Sequence, residues 1–426
     1  MKREALAVSP FLRREGGRGV RSVAGPTPLT LLAGLLALAF VLRWGGVSYP
    51  QFRSSDLVFH AHNLTYVLDV LHGAGRPFFF PGKLPNGTLV PYPSAYYVLL
   101  TPFAAVSGGT NEAAISLLLV ASALLDSLVV LPVWALARRW GARAGLAAAA
   151  LYALGPAPFQ LFSAGNHTNL FAGATLVATL AAAAAALEQA AGPARRRWLA
   201  AFGAGSLLTL LGHYGVALSL LGVIGSVAVV WLVAAPRSLR SRIGPLLAVF
   251  ALTVVLAYGL YYVHFNAEMI AQVRSLVQRT APPGARFTPS ALLADLVRWQ
   301  GGAAGIALLG LIGWLGGHAG VWTAADAPGW RSPAGLVLIG WLLACIPLAA
   351  SALFDRDTIR YNLLILPPLC MGAGIALAGW ARQFAPRVVA GRRIQPGVLL
   401  AGALGGLTAL YTLAVWTTSV LRQYHP

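Results

Sequence analysis

The chain has 426 residues, of which 58% are hydrophobic and only 10% are charged, and its mean hydropathy is +0.70. A soluble domain has roughly 25% charged residues, so this composition excludes a soluble enzyme, a disordered chain and a fibrous protein. The 31 basic residues outnumber the 12 acidic ones, which gives a formal net charge of +19. Both cysteines, Cys345 and Cys370, lie in apolar runs, which argues against a disulfide framework or a cysteine metal site.

The apolar stretches predict an all-α, polytopic membrane protein, because a helix needs about 20 apolar residues to cross a bilayer. About eleven transmembrane helices are expected, near residues 27–46, 112–137, 144–162, 169–190, 198–213, 215–235, 243–265, 301–322, 333–353, 361–381 and 397–418. Residues 1–26 form a basic N-terminal arm. Residues 27–426 are expected to form a single transmembrane domain with no separate soluble domain.

The arginines predict the orientation, because Lys and Arg in short loops stay on the cytoplasmic side. With eleven spans and a cytoplasmic N-terminus, twenty of the 31 basic residues fall on that side. The net charge therefore reflects topology, and no nucleic-acid partner is expected.

The stretch 92–107 is apolar, but it is short and contains Pro93 and Pro102. If it crossed the membrane, the alternation of basic loops would fail. It is therefore interpreted as a helix on the outer surface. Residues 47–111 then form a large first external loop with interfacial helices, and residues 266–300 form the second external loop.

The first external loop contains the most informative pattern. Residues 56–72 have an apolar stripe at helical spacing, and Asp56, His60 and Asn63 fall on a second stripe. An amphipathic helix of this type lies in the interface plane. The aromatic residues that follow, including Tyr92, suit the lipid headgroup layer.

Several motifs in this order resemble one family. They are Asp-x-x-x-His at Asp56–His60, Gly-x-Gly-x-Pro at Gly73–Pro77, Tyr-Pro-x-x-Tyr-Tyr at Tyr92–Tyr97, Arg-Arg-x-Gly at Arg138–Gly141, and Arg-Tyr followed by prolines and a glycine-rich helix from Arg360. The pattern resembles the polytopic glycosyltransferases of the GT-C fold, which include protein O-mannosyltransferases, the aminoarabinose transferase of lipid A and oligosaccharyltransferases. It is most similar to a bacterial and archaeal branch whose first loop also starts with Asp followed by His.

The resemblance implies that the protein moves a sugar from a polyprenyl-phosphate carrier to an acceptor outside the membrane, with inversion. The acceptor is a protein, a glycan or a lipid. A prokaryotic cytoplasmic membrane is the implied location, with an extracytoplasmic active site. Where many family members have a second nearby acid, this chain has His60 and His62. Whether the protein binds a divalent cation, Mg²⁺ or Mn²⁺, is therefore left open, and Asp56 and His60 are the candidate ligands.

Asp56 is the candidate base or acceptor-orienting acid, and its alternative role is a helix N-cap. His60 is a candidate for the acceptor, the phosphate or a metal, and the alternative is a histidine that faces water. His62 belongs to the same region, but residues two apart on a helix point about 200° from each other, so a joint metal site with His60 is disfavoured.

Arg360 is the candidate ligand of the donor phosphate, because a guanidinium offers a planar fork of N–H groups. Arg356 is the second candidate, and the alternative is a solvated charge cluster. The candidates for an acceptor region are Asn166 and His167, together with His213 and Tyr214 at the next external turn. The alternative is that these residues only form ordinary turns.

The sequence is also compatible with two other functions. One is a transporter or flippase of lipid-linked or small solutes, for which Asp126 is the only acid well inside a predicted span. The other is a non-catalytic scaffold with the GT-C fold. The polar residues gather at one face, which favours an interfacial transferase.

Overall fold

The structure is a computed structural model that describes residues 27–48, 54–73, 81–83, 89–278, 288–315, 329, 331–354, 356–383, 387–389 and 392–424. The predicted basic arm 1–26 lies outside these residues, as do residues 279–287 of the predicted second external loop.

The described residues are mainly helical. The α-helices are α1 (Pro28–Gly45), α2 (Ser55–Leu71), α3 (Ala95–Val106), α4 (Asn111–Leu128), α5 (Val130–Ala137), α6 (Ala142–Leu154), α7 (Ala157–Ala164), α8 (His167–Glu188), α9 (Pro193–Leu210), α10 (Tyr214–Ala234), α11 (Arg237–Leu260), α12 (Asn266–Gln278), α13 (Pro289–Gln300), α14 (Ala303–Leu315), α15 (Pro333–Ser351), α16 (Leu366–Gln383) and α17 (Pro396–Tyr424). The 3-10 segments are Arg138–Trp140, Tyr262–Phe265 and Arg356–Leu364. Two short antiparallel hairpins pair β1 (Pro81–Lys83) with β2 (Leu89–Pro91), and β3 (Arg387–Val389) with β4 (Arg392–Ile394).

The helices confirm the predicted all-α membrane architecture. Within the described ranges, eight helical segments are long and apolar enough to cross a bilayer, and each coincides with a predicted span. The other three predicted spans correspond to α9, α14 and α16, whose described parts are shorter or less apolar. The stretch 92–107 contains only the 12-residue helix α3, which is too short to span.

Helix α8 lies at the centre of the bundle, because 78% of its span is buried. It packs against α4, α5, α9 and α15. Only 17% of the spans of α1 and α17 is buried, so these two helices lie at the periphery. The start of α8, which carries the predicted candidate His167, is therefore held by protein on several sides.

A second apolar cluster joins α2 and α3 to α4, α7 and α8. Leu57 and Leu64 of α2, Tyr97 of α3 and Leu118 of α4 are completely buried in it. This cluster fixes α2 against α3 and α4, so the helix that carries Asp56 and His60 is packed within the protein.

A buried ion pair joins α1 to α4. The Nε atom of Arg43 donates to Oδ2 of Asp126 at 2.7 Å, and the Tyr152 hydroxyl donates to Oδ1 at the same distance. Arg43 also donates to the carbonyl oxygens of Tyr152 and Ala153. Because α6 ends just before Gly155 and Pro156, the last carbonyls of the helix are open to other donors, and Arg43 caps them; the Tyr152 carbonyl also accepts from the Gly155 N–H at 3.0 Å. The one acid deep in a predicted span thus has a structural partner.

Candidate active site

The site begins at the N-terminus of α2. The Ser54 side chain accepts a hydrogen bond from the Leu57 backbone N–H at 3.2 Å, so Ser54 is the N-cap and the predicted alternative role for Asp56 is wrong. Asp56 lies in the first turn and is half-buried. Gly165, with φ +79°, packs against this end of α2, because a Cβ there would overlap Oγ of Ser54. The Asn166–Asn169 turn is thereby brought next to Asp56.

His60, one helical turn after Asp56, is buried with only 1% of its surface exposed, so the alternative of a water-facing histidine is wrong. Its Nδ1 atom lies 2.6 Å from the Tyr97 hydroxyl, and its Nε2 atom lies 3.5 Å from the Tyr92 hydroxyl. Burial, followed by the neighbouring His167 and His213, holds the pKa of His60 well below its usual range. His60 is therefore a neutral imidazole near physiological pH.

Both ring nitrogens of His60 lie next to a tyrosine hydroxyl. The amide nitrogen of Asn63 also donates to the Tyr97 oxygen at 3.4 Å. A neutral imidazole has one N–H, so His60 donates to one of the two tyrosines and accepts from the other. The Tyr92 hydroxyl in turn lies 3.3 Å from that of Thr168.

His167 is fully buried beside His60, with ring centroids 6.1 Å apart. Its Nδ1 atom lies 2.9 Å from Oγ of Ser122, which also lies 2.7 Å from the Tyr96 hydroxyl. Its Nε2 atom has no hydrogen-bond partner among the described residues. Two residues further on, the amide of Asn169 is also buried and makes no hydrogen bond with the described part of the chain. Such buried, unsatisfied groups are rare and indicate a missing partner.

His213 brings a third helix end to the site. Its Nδ1 atom accepts a hydrogen bond from the Gly215 backbone N–H at 3.1 Å, so His213 caps α10. Its ring is perpendicular to that of Tyr92, with centroids 5.9 Å apart, and lies 6.4 Å from the ring of Tyr361. A Cβ at Gly215 would overlap the Tyr361 hydroxyl, so only glycine lets the 356–364 segment approach α10 this closely.

The electrostatics of the site join the two ends of the chain. Burial raises the pKa of Tyr92, and the Asp56 carboxylate raises it further. The hydrogen bond with Thr168 and the Arg360 guanidinium lower this pKa. Burial, and then Arg360, lower the pKa of His213 to about 3. Asp56 and Arg360 therefore lie within electrostatic range of the same tyrosine hydroxyl.

The other site residues predicted from the sequence lie in different environments. His62 is exposed and lies away from buried His60, as helical spacing predicts. Asn166 is buried at the N-cap position of α8. Tyr214 packs against Tyr262, with ring centroids 6.4 Å apart, rather than against Tyr92. The side chain of Arg356 lies outside the described part of the structure.

The candidate metal ligands predicted from the sequence are Asp56 and His60. Within the described ranges, no group of three or more His, Cys, Asp or Glu side chains could hold a metal ion, so Asp56 and His60 have no third donor of this kind there. Tyrosine hydroxyls lie near both ring nitrogens of His60.

Sequence reasoning missed the tyrosines. The sequence predicts that Tyr92, Tyr96 and Tyr97 belong to an outer-surface segment, but Tyr96 and Tyr97 are completely buried. Tyr97 positions His60, Tyr96 contacts Ser122, and Tyr92 lies between His60 and Thr168. The signal was the Tyr-Pro-x-x-Tyr-Tyr motif, in which three hydroxyls occur within six residues.

No protein-family model matches the chain, and no curated protein is significantly similar to it in sequence. Solved structures do share its architecture. An archaeal oligosaccharyltransferase, AglB from Archaeoglobus fulgidus, in complex with an inhibitory peptide and a dolichol-phosphate, is 15% identical with a TM-score of 0.62, covering 92% of this chain and 56% of that one. An oligosaccharyltransferase from the same organism, in complex with Zn and sulfate, is 14% identical with a TM-score of 0.59. That similarity covers 92% of this chain and 53% of the oligosaccharyltransferase.

The chain has the GT-C fold. The resemblance inferred from the motifs is thereby confirmed at the level of architecture, and the apolar helices make this GT-C protein an integral membrane protein. The chain spans about half the length of these two oligosaccharyltransferases.

Proposed function

We propose that this GT-C protein is a glycosyltransferase that moves a sugar from a polyprenyl-phosphate carrier to an acceptor on the extracytoplasmic face of the membrane, with inversion. The observation that carries the proposal is that Asp56 and Arg360, from opposite ends of the chain, both lie within electrostatic range of Tyr92: the carboxylate raises and the guanidinium lowers the pKa of Tyr92. An acid and a guanidinium that share one buried polar site suit a displacement at a sugar phosphate.

In the proposed reaction, an acceptor atom attacks the anomeric carbon as the bond between that carbon and the phosphate oxygen breaks. Asp56 accepts the proton of the acceptor, or orients that acceptor. A half-buried carboxylate suits this role, which typically contributes 10²–10⁴-fold to rate. The acceptor approaches opposite the leaving group, so the anomeric configuration inverts, by analogy with inverting glycosidases.

Arg360 stabilises the charge that develops on the departing phosphate, because a guanidinium forms charge-assisted hydrogen bonds with phosphate oxygens. Tyr92 stays protonated, since burial raises its pKa, and offers a neutral O–H beside Arg360. His60 holds Tyr92 through the contact of its Nε2 atom with the Tyr92 hydroxyl. The polar groups of His167 and Asn169 that lack partners in the described structure are the proposed acceptor contacts.

The solved neighbours indicate which substrates to test first. The AglB structure contains a dolichol-phosphate and an inhibitory peptide. These contents support a polyprenyl-phosphate donor and a protein acceptor as the first candidates for this chain.

The test measures sugar release and transfer from a panel of polyprenyl-phosphate sugars by the purified protein. Asp56→Asn and Arg360→Gln should each lower the rate by about 100-fold or more, given the size of such catalytic contributions. Asp69→Asn is the matched control, because Asp69 is an exposed acid on the same helix, and it should keep full activity. Unchanged activity in a correctly folded Asp56→Asn variant would contradict the proposal.

The transporter and scaffold alternatives are tested with the same variants. Movement of a lipid-linked solute across proteoliposomes that survives loss of both Asp56 and Arg360 would favour transport. Absence of sugar release from every donor by the wild-type protein would favour a scaffold.

A further inference from the structure

A groove lies between α6, α16 and α17. Its volume is about 720 Å³. Its lining contains none of the residues described around Tyr92, and along the chain α6 is separated from the Asn166–Asn169 turn by α7. The groove is therefore separate from the site around Tyr92.

Small residues line most of the groove, among them Ala147 and Ala150 of α6 and Gly402, Gly405 and Gly406 of α17. In membrane proteins such residues usually let helices pack closely. Gly374 of α16 does this, because a Cβ there would lie 2.6 Å from backbone atoms of α6. In contrast, a Cβ at Gly402 or Gly406 would meet no atom within 4 Å. The small residues of α17 thus face unfilled space.

The length of the groove matches one leaflet of a bilayer. Along α6 its lining extends from Arg143 to Leu154, which is about 16 Å at 1.5 Å per residue. The hydrocarbon core of a bilayer is about 30 Å thick, so the groove covers about half of it. A single acyl chain from one leaflet has this reach.

The end of the groove at the start of α6 is positively charged. Arg143 lines it, and the guanidinium of Arg382 lies against Gly141, 3.6 Å from where a Cβ would be. No ion pair joins Arg143 to an acid in the described ranges. An anionic group would complement this end.

We propose that the groove binds an anionic phospholipid of the adjacent leaflet, with one acyl chain along the small residues of α17 and its phosphate on Arg143 and Arg382. The lipid would fill the space between α17 and the rest of the bundle. This inference does not depend on the proposed glycosyltransferase activity.

The test uses the purified full-length protein in nanodiscs that contain equal amounts of phosphatidylglycerol and phosphatidylcholine, followed by transfer to mild detergent. Native mass spectrometry then counts the phospholipids retained per chain. We expect one retained phosphatidylglycerol in at least fivefold excess over phosphatidylcholine. Gly402→Leu fills the groove without a clash and should lower retention at least fivefold. Arg143→Gln should abolish the preference for phosphatidylglycerol.

Two variants serve as matched controls. Gly225→Leu makes the same change on α10, where a Cβ also meets no atom within 4 Å, and Arg197→Gln removes an exposed arginine of α9. Both should retain lipid as the wild type does. Equal retention by Gly402→Leu and Gly225→Leu would overturn the proposal, as would a retained polyprenyl phosphate in place of the phospholipid.

Discussion

His167 and Ser122 lie on different helices, and Nδ1 of the histidine is 2.9 Å from Oγ of the serine. The same oxygen lies 2.7 Å from the Tyr96 hydroxyl, so one serine of α4 joins α8 to α3. This bond fixes the ring of His167, while Nε2 makes no hydrogen bond to the described residues. Ser122 therefore positions the histidine whose second nitrogen is one of the proposed acceptor contacts.

Replacement of Ser122 by alanine should lower kcat/KM for glycosyl transfer about tenfold, because His167 loses the bond that orients it. A tenfold change corresponds to about 1.4 kcal/mol, the size of one net hydrogen bond. Ser122→Thr keeps the hydroxyl and should restore most of the rate. Ser127→Ala is the control, since Ser127 is also buried on α4 but bonds the carbonyl of Ala123 in its own helix. Equal losses in both alanine variants would contradict a positioning role.

Gly165→Ala should separate the Asn166–Asn169 turn from α2 and lower activity more than tenfold. The added Cβ would overlap Ser54, and φ at this position is +79°. Gly73→Ala controls for backbone strain, because Gly73 has φ +86° but no atom within 4 Å of a Cβ. Each variant should lose about 1 kcal/mol of stability from the positive φ alone. Activity per folded molecule should fall only for Gly165→Ala, and parallel losses in the two variants would argue against the contact.

Arg43→Met should lower the free energy of unfolding by about 3–5 kcal/mol, because it leaves the Asp126 carboxylate buried without its partner. The double variant Arg43→Met/Asp126→Leu should recover much of that loss, since no buried charge remains. Arg139→Met breaks a partly exposed pair with Glu188 and should cost less than about 1 kcal/mol. Thermal unfolding in detergent measures all three. A double variant no more stable than Arg43→Met would show that the network has another role.

Acid should destabilise the folded protein through His213. Its pKa is about 3 in the folded protein and about 6.5 in the unfolded chain, so below pH 6.5 the unfolded chain binds more protons. The free energy of unfolding should therefore fall, by up to about 1.4 kcal/mol per pH unit, as the pH drops from about 6.5 towards 3. His213→Asn keeps a capping acceptor and should remove the contribution of His213 to this slope while that of buried His60 stays, whereas replacement of the exposed His62 by Asn should leave the slope unchanged. The measurement is the unfolding temperature between pH 7 and pH 4.5.

Hydropathy predicted the helices well, because the bilayer thickness imposes a minimum length on every span. The same constraint correctly excluded the stretch 92–107, whose helix α3 is 12 residues long. Periodicity also correctly placed Asp56, His60 and Asn63 on one stripe of α2. These features depend on neighbouring residues, which a sequence displays directly.

Packing between distant residues could not be predicted in the same way. The sequence left open that His60 faces water, but its stripe meets Tyr92 and Tyr97, and periodicity within one helix does not identify its neighbour. The pairing of Arg43 with Asp126 joins residues on different helices and carries no local signal. The proposed roles of Asp56 and Arg360 remain predictions for the experiments above.

The pairing of Asp56 and Arg360 around Tyr92 has a consequence for biosynthesis. The two residues are about 300 positions apart. At roughly 5–20 residues per second, about 15 to 60 seconds separate their synthesis. During that interval α2 and the Asn166–Asn169 turn can fold together, but Arg360 has not yet been made. A nascent chain released within this interval should hold a formed half-site with Asp56 but without Arg360, so the proposed transfer would begin only once the 356–364 segment has been made.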